Sequence, residues 1–210
     1  MNFRFLKIPV YIDPTYWIFL LFVVSTLNAF NRAGVLLAVI ITFSLLTHEY
    51  GHALTARFFG AQPYIVLRAF GGFAYFNESV VAEKQRFFIT LAGPMLQGLL
   101  VLIAYILIRL DVFNDYYIRF VLHAALYINT TWILLNLIPI VPFDGGGLVR
   151  YLLERKFGRK GYRASIIIGI VSAAIAIPYL LFNGYYLFFV IELLIAGFRY
   201  CKLWQEEWMN

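Results

Sequence analysis

The stretch Thr47-His48-Glu49-Tyr50-Gly51-His52 has the residue types and spacing for metal chemistry. His48 and His52 are four apart. On a helix their imidazoles lie on one face, one turn from each other, and can hold a single ion. In the pattern His-Glu-x-x-His the glutamate is not a ligand. Glu49 instead stands beside the ion, where it can take a proton from a bound water and return it to a leaving group. Zinc in such a site lowers the water's pKa to about 7, which supplies hydroxide at neutral pH. The chemistry these residues allow is hydrolysis. The bland alternative is a polar pair packed against another helix.

A zinc site of this kind has three protein ligands and keeps a fourth position open. The third ligand must come from elsewhere, and His123, Asp144 and Glu192 are the candidates in or near apolar segments. Asp144 lies in NLIPIVPFDGGGLVR. There Pro139 and Pro142 break a helix end, and Gly145 to Gly147 let the backbone turn. Irregular backbone at membrane depth is tolerated where it is buried or lines a cavity. Asp144 is then either a metal ligand or the N-cap of a helix starting near Gly146. His123 sits toward the other end of its segment and reads as a packing or interface histidine. Glu192 is an apolar-segment acid that needs a partner, either a water path or a neighbouring helix.

The elements that must carry these residues are membrane helices. Of the 210 residues 62% are hydrophobic and 13% charged, against about 25% charged in an ordinary soluble domain. A span needs about 20 mainly apolar residues. Six candidates follow: about 16–30, 34–59, 87–108, 117–138, 164–181 and 185–199. Asn183-Gly184 is the turn between the last two. The basic start with its apolar run lacks a small-residue cleavage site and is read as a retained span, with the Pro9 to Pro14 stretch at the interface. His48 lies about 20 Å along its helix from Gly34, within the bilayer, where His and Glu are costly and mark function.

Basic residues orient the spans. Arg4, Lys7, Arg57, Arg68, Lys84, Arg86, Arg150, Arg155, Lys156, Arg159, Lys160, Arg163, Arg199 and Lys202 fall on one side, and Arg32, Arg109 and Arg119 on the other. Both termini are therefore expected in the cytoplasm of a multi-pass cell-membrane protein. That distribution also explains the net charge of +6 without nucleic acid. The single Cys201 makes no intrachain disulfide. Two segments are not spans. QPYIVLRAFGGFAYFN, from Gln62 to Asn77, is rich in β-branched and aromatic residues and broken by Gly71-Gly72, which predicts a hairpin at the membrane interface. Asp144 to Gly161 is expected to be an amphipathic helix with a basic connector.

HEYGH in an early span, AGPMLQ at Ala92 to Gln97 and NLIPIVPFDGG at Asn136 to Gly146 resemble the site-2 protease family of intramembrane metalloproteases. The likeness extends to KIPVYIDPTYW near the start and to the FGG segment before the third span. It is strongest to the sporulation branch, and a glutamine follows AGP where many relatives have asparagine. The resemblance implies zinc held by His48, His52 and Asp144, with Glu49 as catalytic base. It implies that Asn136 stabilises the oxyanion or positions substrate, which suits an amide donor near a metal. An interhelical hydrogen bond is the alternative role for Asn136. It also implies that the hairpin presents substrate as an added strand.

The expected architecture is an all-α polytopic fold of about six transmembrane helices with a short membrane-associated β-hairpin between the second and third. The whole of 1–210 is expected to be one transmembrane metalloprotease domain, without the CBS domain of the sporulation branch or the PDZ domain of other relatives. The expected activity is that of an intramembrane zinc endopeptidase cutting a membrane protein, of which a transcription-factor precursor is one class. The expected partners are that substrate, the lipid bilayer, and an inhibitory membrane protein or a second copy. A metal transporter would need several sites along a path, and only one is visible. A non-catalytic scaffold would not need Glu49. A prenyl-protein protease would carry a different partner motif.

Overall fold

The computed structural model describes residues 2–26, 30–69 and 71–182, with 197, 198 and 202 beyond them. Two compact units divide it, Met1–Ile133 and Leu134–Asn210. Apart from Gly197 and Phe198, the expected sixth span lies outside the described residues. So do the Asn183-Gly184 turn, Glu192 and Cys201.

The first unit opens with strands β1 (Asn2–Phe5) and β2 (Ile8–Ile12), followed by helices α1 (Pro14–Thr26) and α2 (Arg32–Phe58). Strands β3 (Tyr64–Arg68) and β4 (Gly71–Tyr75) come next, then a short 3-10 turn and helices α3 (Glu83–Leu110) and α4 (Tyr116–Asn136), the unit boundary falling after Ile133 in the last turn of α4. The hairpin expected between the second and third spans is β3–β4, paired antiparallel from Tyr64↔Tyr75 to Arg68↔Gly71. Gly71 and Gly72 begin its second strand and are not its turn.

The sheet is larger than the sequence implied. Its order is β1-β2-β3-β4, with β2 parallel to β3 and a crossover through α1 and α2. The Pro9 to Pro14 stretch therefore supplies most of an inner strand. Its hairpin partner β1 is reached by a turn at Leu6 and Lys7, both in the left-handed region with φ of 48° and 62°. Such turns are normally signalled by Asn-Gly or Asp-Gly; Leu-Lys gives no signal. One face of the two inner strands is fully buried: Ile8 and Val10 of β2, Ile65 and Leu67 of β3. The period of two that defines a strand produces this alternation.

α2 is 27 residues and α3 is 28 residues long, about 40 Å each at the helical rise. Asn31 caps α2, its side-chain oxygen accepting from Ala33 N–H at 2.9 Å and Gly34 N–H at 3.2 Å. The side chain of Gln85 in turn caps α3 by accepting from Ala82 N–H at 2.7 Å. α1 has 13 residues, about 20 Å, and is shorter than the 30 Å of hydrocarbon. Tyr16 fastens it to α2, donating to Thr42 Oγ1 at 2.8 Å. The β1–β2 hairpin is fastened to α2 as well. Tyr50 donates to the Phe5 carbonyl at 3.2 Å, and Arg57 donates to the Leu6 carbonyl.

The second unit holds α5 (Asp144–Phe157) and α6 (Arg159–Phe182); Ile166 and Ala173 of α6 form a buried cluster with Ile140 of the segment before α5. The amphipathic helix was expected here. The basic connector is shorter than expected: Gly158 turns the chain at φ 57° and α6 has already begun at Arg159. Across the described residues four helices, α2, α3, α4 and α6, are long and apolar enough to cross a bilayer. The protein is a membrane protein, largely helical, with one small sheet.

α2 and α3 approach so closely that a methyl on Gly51 would overlap the Ala92 carbonyl and come within 2.8 Å of Gly93 Cα. Gly51→Ala should destabilise the fold by about 1–3 kcal/mol through this overpacking. Gly98 on α3 has open space around it, and Gly98→Ala should be neutral or stabilising by up to about 1 kcal/mol. Thermal unfolding of both variants in detergent checks the contrast.

Candidate metal centre

His48, Glu49, Gly51 and His52 lie near the C-terminal end of α2, all buried, with the two histidines and Glu49 at most 8% exposed. The Nε2 atoms of His48 and His52 are 3.1 Å apart. Two imidazole nitrogens bound to one tetrahedral zinc, each at 2.0–2.1 Å, would be about 3.3 Å apart. The spacing therefore fits one shared ion.

The outer ring nitrogens are held by α3. His52 Nδ1 is 2.7 Å from the Ile89 carbonyl oxygen. A carbonyl only accepts, so Nδ1 carries the proton and Nε2 presents its lone pair. His48 Nδ1 is 3.1 Å from Gln97 Oε1. Partners on the far nitrogen fix the tautomer and orientation of metal-binding histidines. Neither partner was singled out as a site residue from the sequence. Gln97 was visible only as the end of AGPMLQ, and a backbone carbonyl leaves no trace in residue type.

Two glycines make room for this arrangement. A methyl on Gly93 of α3 would overlap the His52 ring. A methyl on Gly72 of β4 would overlap the Glu49 side chain, 2.9 Å from its Oε1. The backbone of β4 thus lies directly against Glu49. Gly72 of FGG and Gly93 of AGP are thus clearances for the two candidate side chains that face them.

The other expected residues are placed as follows. His123 is exposed on α4, and its Nδ1 lies 2.8 Å from the Arg119 carbonyl one turn back, in keeping with a non-metal role. Asn136 is the last residue of α4. Asp144 is the first residue of α5, and the N-cap position belongs to Phe143. Asp144 is thus one residue past the capping position weighed for it. A methyl on Gly145 would overlap the Leu137 carbonyl, and one on Gly146 would come within 2.5 Å of Ile140 C. Only glycine lets the chain fold back so tightly beside Asp144.

Comparison with known proteins agrees with this geometry. Residues 111–178 match the model of Peptidase family M50, a span that contains Asn136 and Asp144. The chain carries a peptidase family M50 (site-2 protease) domain. It is 27% identical over 210 residues to a zinc metalloprotease of Methanocaldococcus jannaschii, covering 98% of this chain and 59% of that protein. It is 26% identical to stage IV sporulation protein FB of Bacillus subtilis, covering 91% of this chain and 62% of the other. The chain thus spans about three-fifths of the length of these two relatives. A site-2 protease structure from Methanocaldococcus jannaschii superposes with a TM-score of 0.65 at 24% identity, over 96% of this chain and 94% of that one. The fold is that of the site-2 proteases.

Gly93→Ala should displace His52, and Gly72→Ala should displace Glu49. Zinc uptake by the purified variants separates the two. The first should lose most of its zinc, whereas the second should keep it.

Proposed function

We propose that the chain is an intramembrane zinc endopeptidase that cuts a membrane-embedded or membrane-associated protein on the cytoplasmic side. The observation that carries this reading is the convergence of two buried imidazole nitrogens at 3.1 Å, that of His52 held as a lone pair by the Ile89 carbonyl on its other nitrogen, with a buried glutamate one residue along the same helix. The M50 match and the zinc metalloproteases among its relatives support the same chemistry.

His48 and His52 would hold the metal, with Asp144 as the third ligand. A zinc ion held there would act as a Lewis acid and lower a water's pKa to about 7. Glu49 is placed to take a proton from the attacking water and to pass it to the leaving amine. Asn136 donates a side-chain N–H toward the oxygen on which negative charge develops. Residues 1–210 act as one metalloprotease domain.

A helical substrate has its backbone hydrogen-bonded and shielded, so it must unwind before it is cut. β4 is a terminal strand of the sheet, and its Gly72 backbone lies against Glu49. An unwound substrate that adds to this edge as a strand is thereby led to the catalytic base. The orientation has both termini in the cytoplasm, in keeping with the basic residues on that side. A cut there releases a soluble fragment, and a membrane-tethered transcription-factor precursor fits this outcome. An inhibitory membrane partner or a second copy would regulate access.

The test is cleavage of a membrane-tethered substrate by purified protein and by Glu49→Gln, with zinc measured in both. The variant should keep its zinc and lose about 10²–10⁴-fold in rate, the contribution of a positioned general base. Equal cleavage by both would overturn the role of Glu49.

A further inference from the structure

Gln97 is a buried amide that the proposed chemistry leaves without a task. It lies on α3, is 0% exposed, and places Oε1 3.1 Å from His48 Nδ1. Its Nε2 has no hydrogen-bond partner among the described residues. A fully buried amide hydrogen-bonded through its oxygen alone is unusual, because buried polar groups are normally satisfied.

The His48–His52 pair explains why the amide orientation matters. His52 Nδ1 must carry the proton, since it faces a carbonyl. His52 Nε2 is therefore a lone pair, 3.1 Å from His48 Nε2. His48 has two choices. With the Gln97 oxygen toward it, Nδ1 is protonated and Nε2 is a second lone pair, so two lone pairs face each other, an arrangement suited to a cation shared between them. With the amide turned over, Gln97 Nε2 would donate to His48 Nδ1. The ring proton would then sit on His48 Nε2 and donate to His52 Nε2, closing the pair without metal.

From this we infer that Gln97 is a positioning residue that selects the metal-ready tautomer of His48, resting on the zinc-site reading above. The side-chain length is part of the device. Asparagine is one methylene shorter, and its amide would stop short of a ring nitrogen that Gln97 reaches at 3.1 Å. In this chain the glutamine makes the bond directly. Its oxygen faces the ring nitrogen, and a carboxylate, which cannot donate, would hold His48 in the same metal-ready form.

Zinc affinity by chelator competition tests this, on wild type, Gln97→Met, Gln97→Asn and Gln97→Glu in detergent. The visible spectrum of the cobalt-substituted proteins is recorded in parallel. Loss of a partner to a metal-binding histidine weakens binding about 10–100-fold. Gln97→Met and Gln97→Asn should show that loss together with an altered cobalt spectrum. Gln97→Glu should bind at least as tightly as wild type and keep its spectrum. A purely structural Gln97 would not produce this order. Gln97→Met that unfolds as wild type does and binds zinc within about twofold of it would overturn the inference, as would Gln97→Glu binding more weakly than wild type. Should Gln97→Met not fold, the Gln97→Glu result decides alone. Wild type that takes up no zinc would overturn the zinc site and this inference together, whereas metal-binding wild type with an indifferent Gln97 would overturn this inference alone.

Discussion

The site depends on how closely α2 and α3 pass each other. Gly51 lets the Ala92 carbonyl reach α2, and Gly93 gives the His52 ring its space. That approach brings the Ile89 carbonyl to 2.7 Å from His52 and Gln97 to 3.1 Å from His48. In hydrocarbon an imidazole N–H without a partner is costly, so two histidines inside a span need acceptors from a neighbouring helix. Pro94, next to Gly93, has no N–H and leaves the Thr90 carbonyl without a helical donor. The AGP segment of α3 is thus a stretch of helix surface shaped to receive the two histidines.

The sheet has a second role beyond ending in the strand β4. Its inner strands bury Ile8, Val10, Ile65 and Leu67 completely, and it is fastened to α2 through Tyr50 and Arg57. β4 can therefore hold the Gly72 backbone against Glu49. A general base must sit within hydrogen-bond reach of the proton it takes, and a strand rigidly attached to the same helix restrains that carboxylate. In the proposed mechanism one helix is gripped on two sides, by α3 at the histidines and by β4 at the glutamate.

Much of this was legible in the sequence. The long apolar runs mark α2, α3, α4 and α6, because span length and composition are strong constraints. His48, Glu49 and His52 declare themselves by helical spacing. The β3–β4 hairpin follows from β-branched and aromatic enrichment. What was hidden depends on tertiary structure. Leu6 and Lys7 make a tight turn without turn residues, so β1 and β2 went unseen. The Ile89 carbonyl belongs to every residue type alike, and Gln97 gains meaning only from the ring it touches. Asp144 is one residue inside α5 because the cap position falls on Phe143, and residue preferences do not fix helix starts so finely.

The central claim is that one zinc ion sits between two imidazoles and a carboxylate. X-ray absorption at the zinc edge of the purified protein tests it most directly, with Asp144→Ala measured beside wild type. The account predicts a first shell of nitrogen and oxygen at about 2.0–2.2 Å, imidazole scattering from two rings, and loss of one oxygen ligand in the variant. A shell without two imidazoles, or one unchanged by Asp144→Ala, would contradict it.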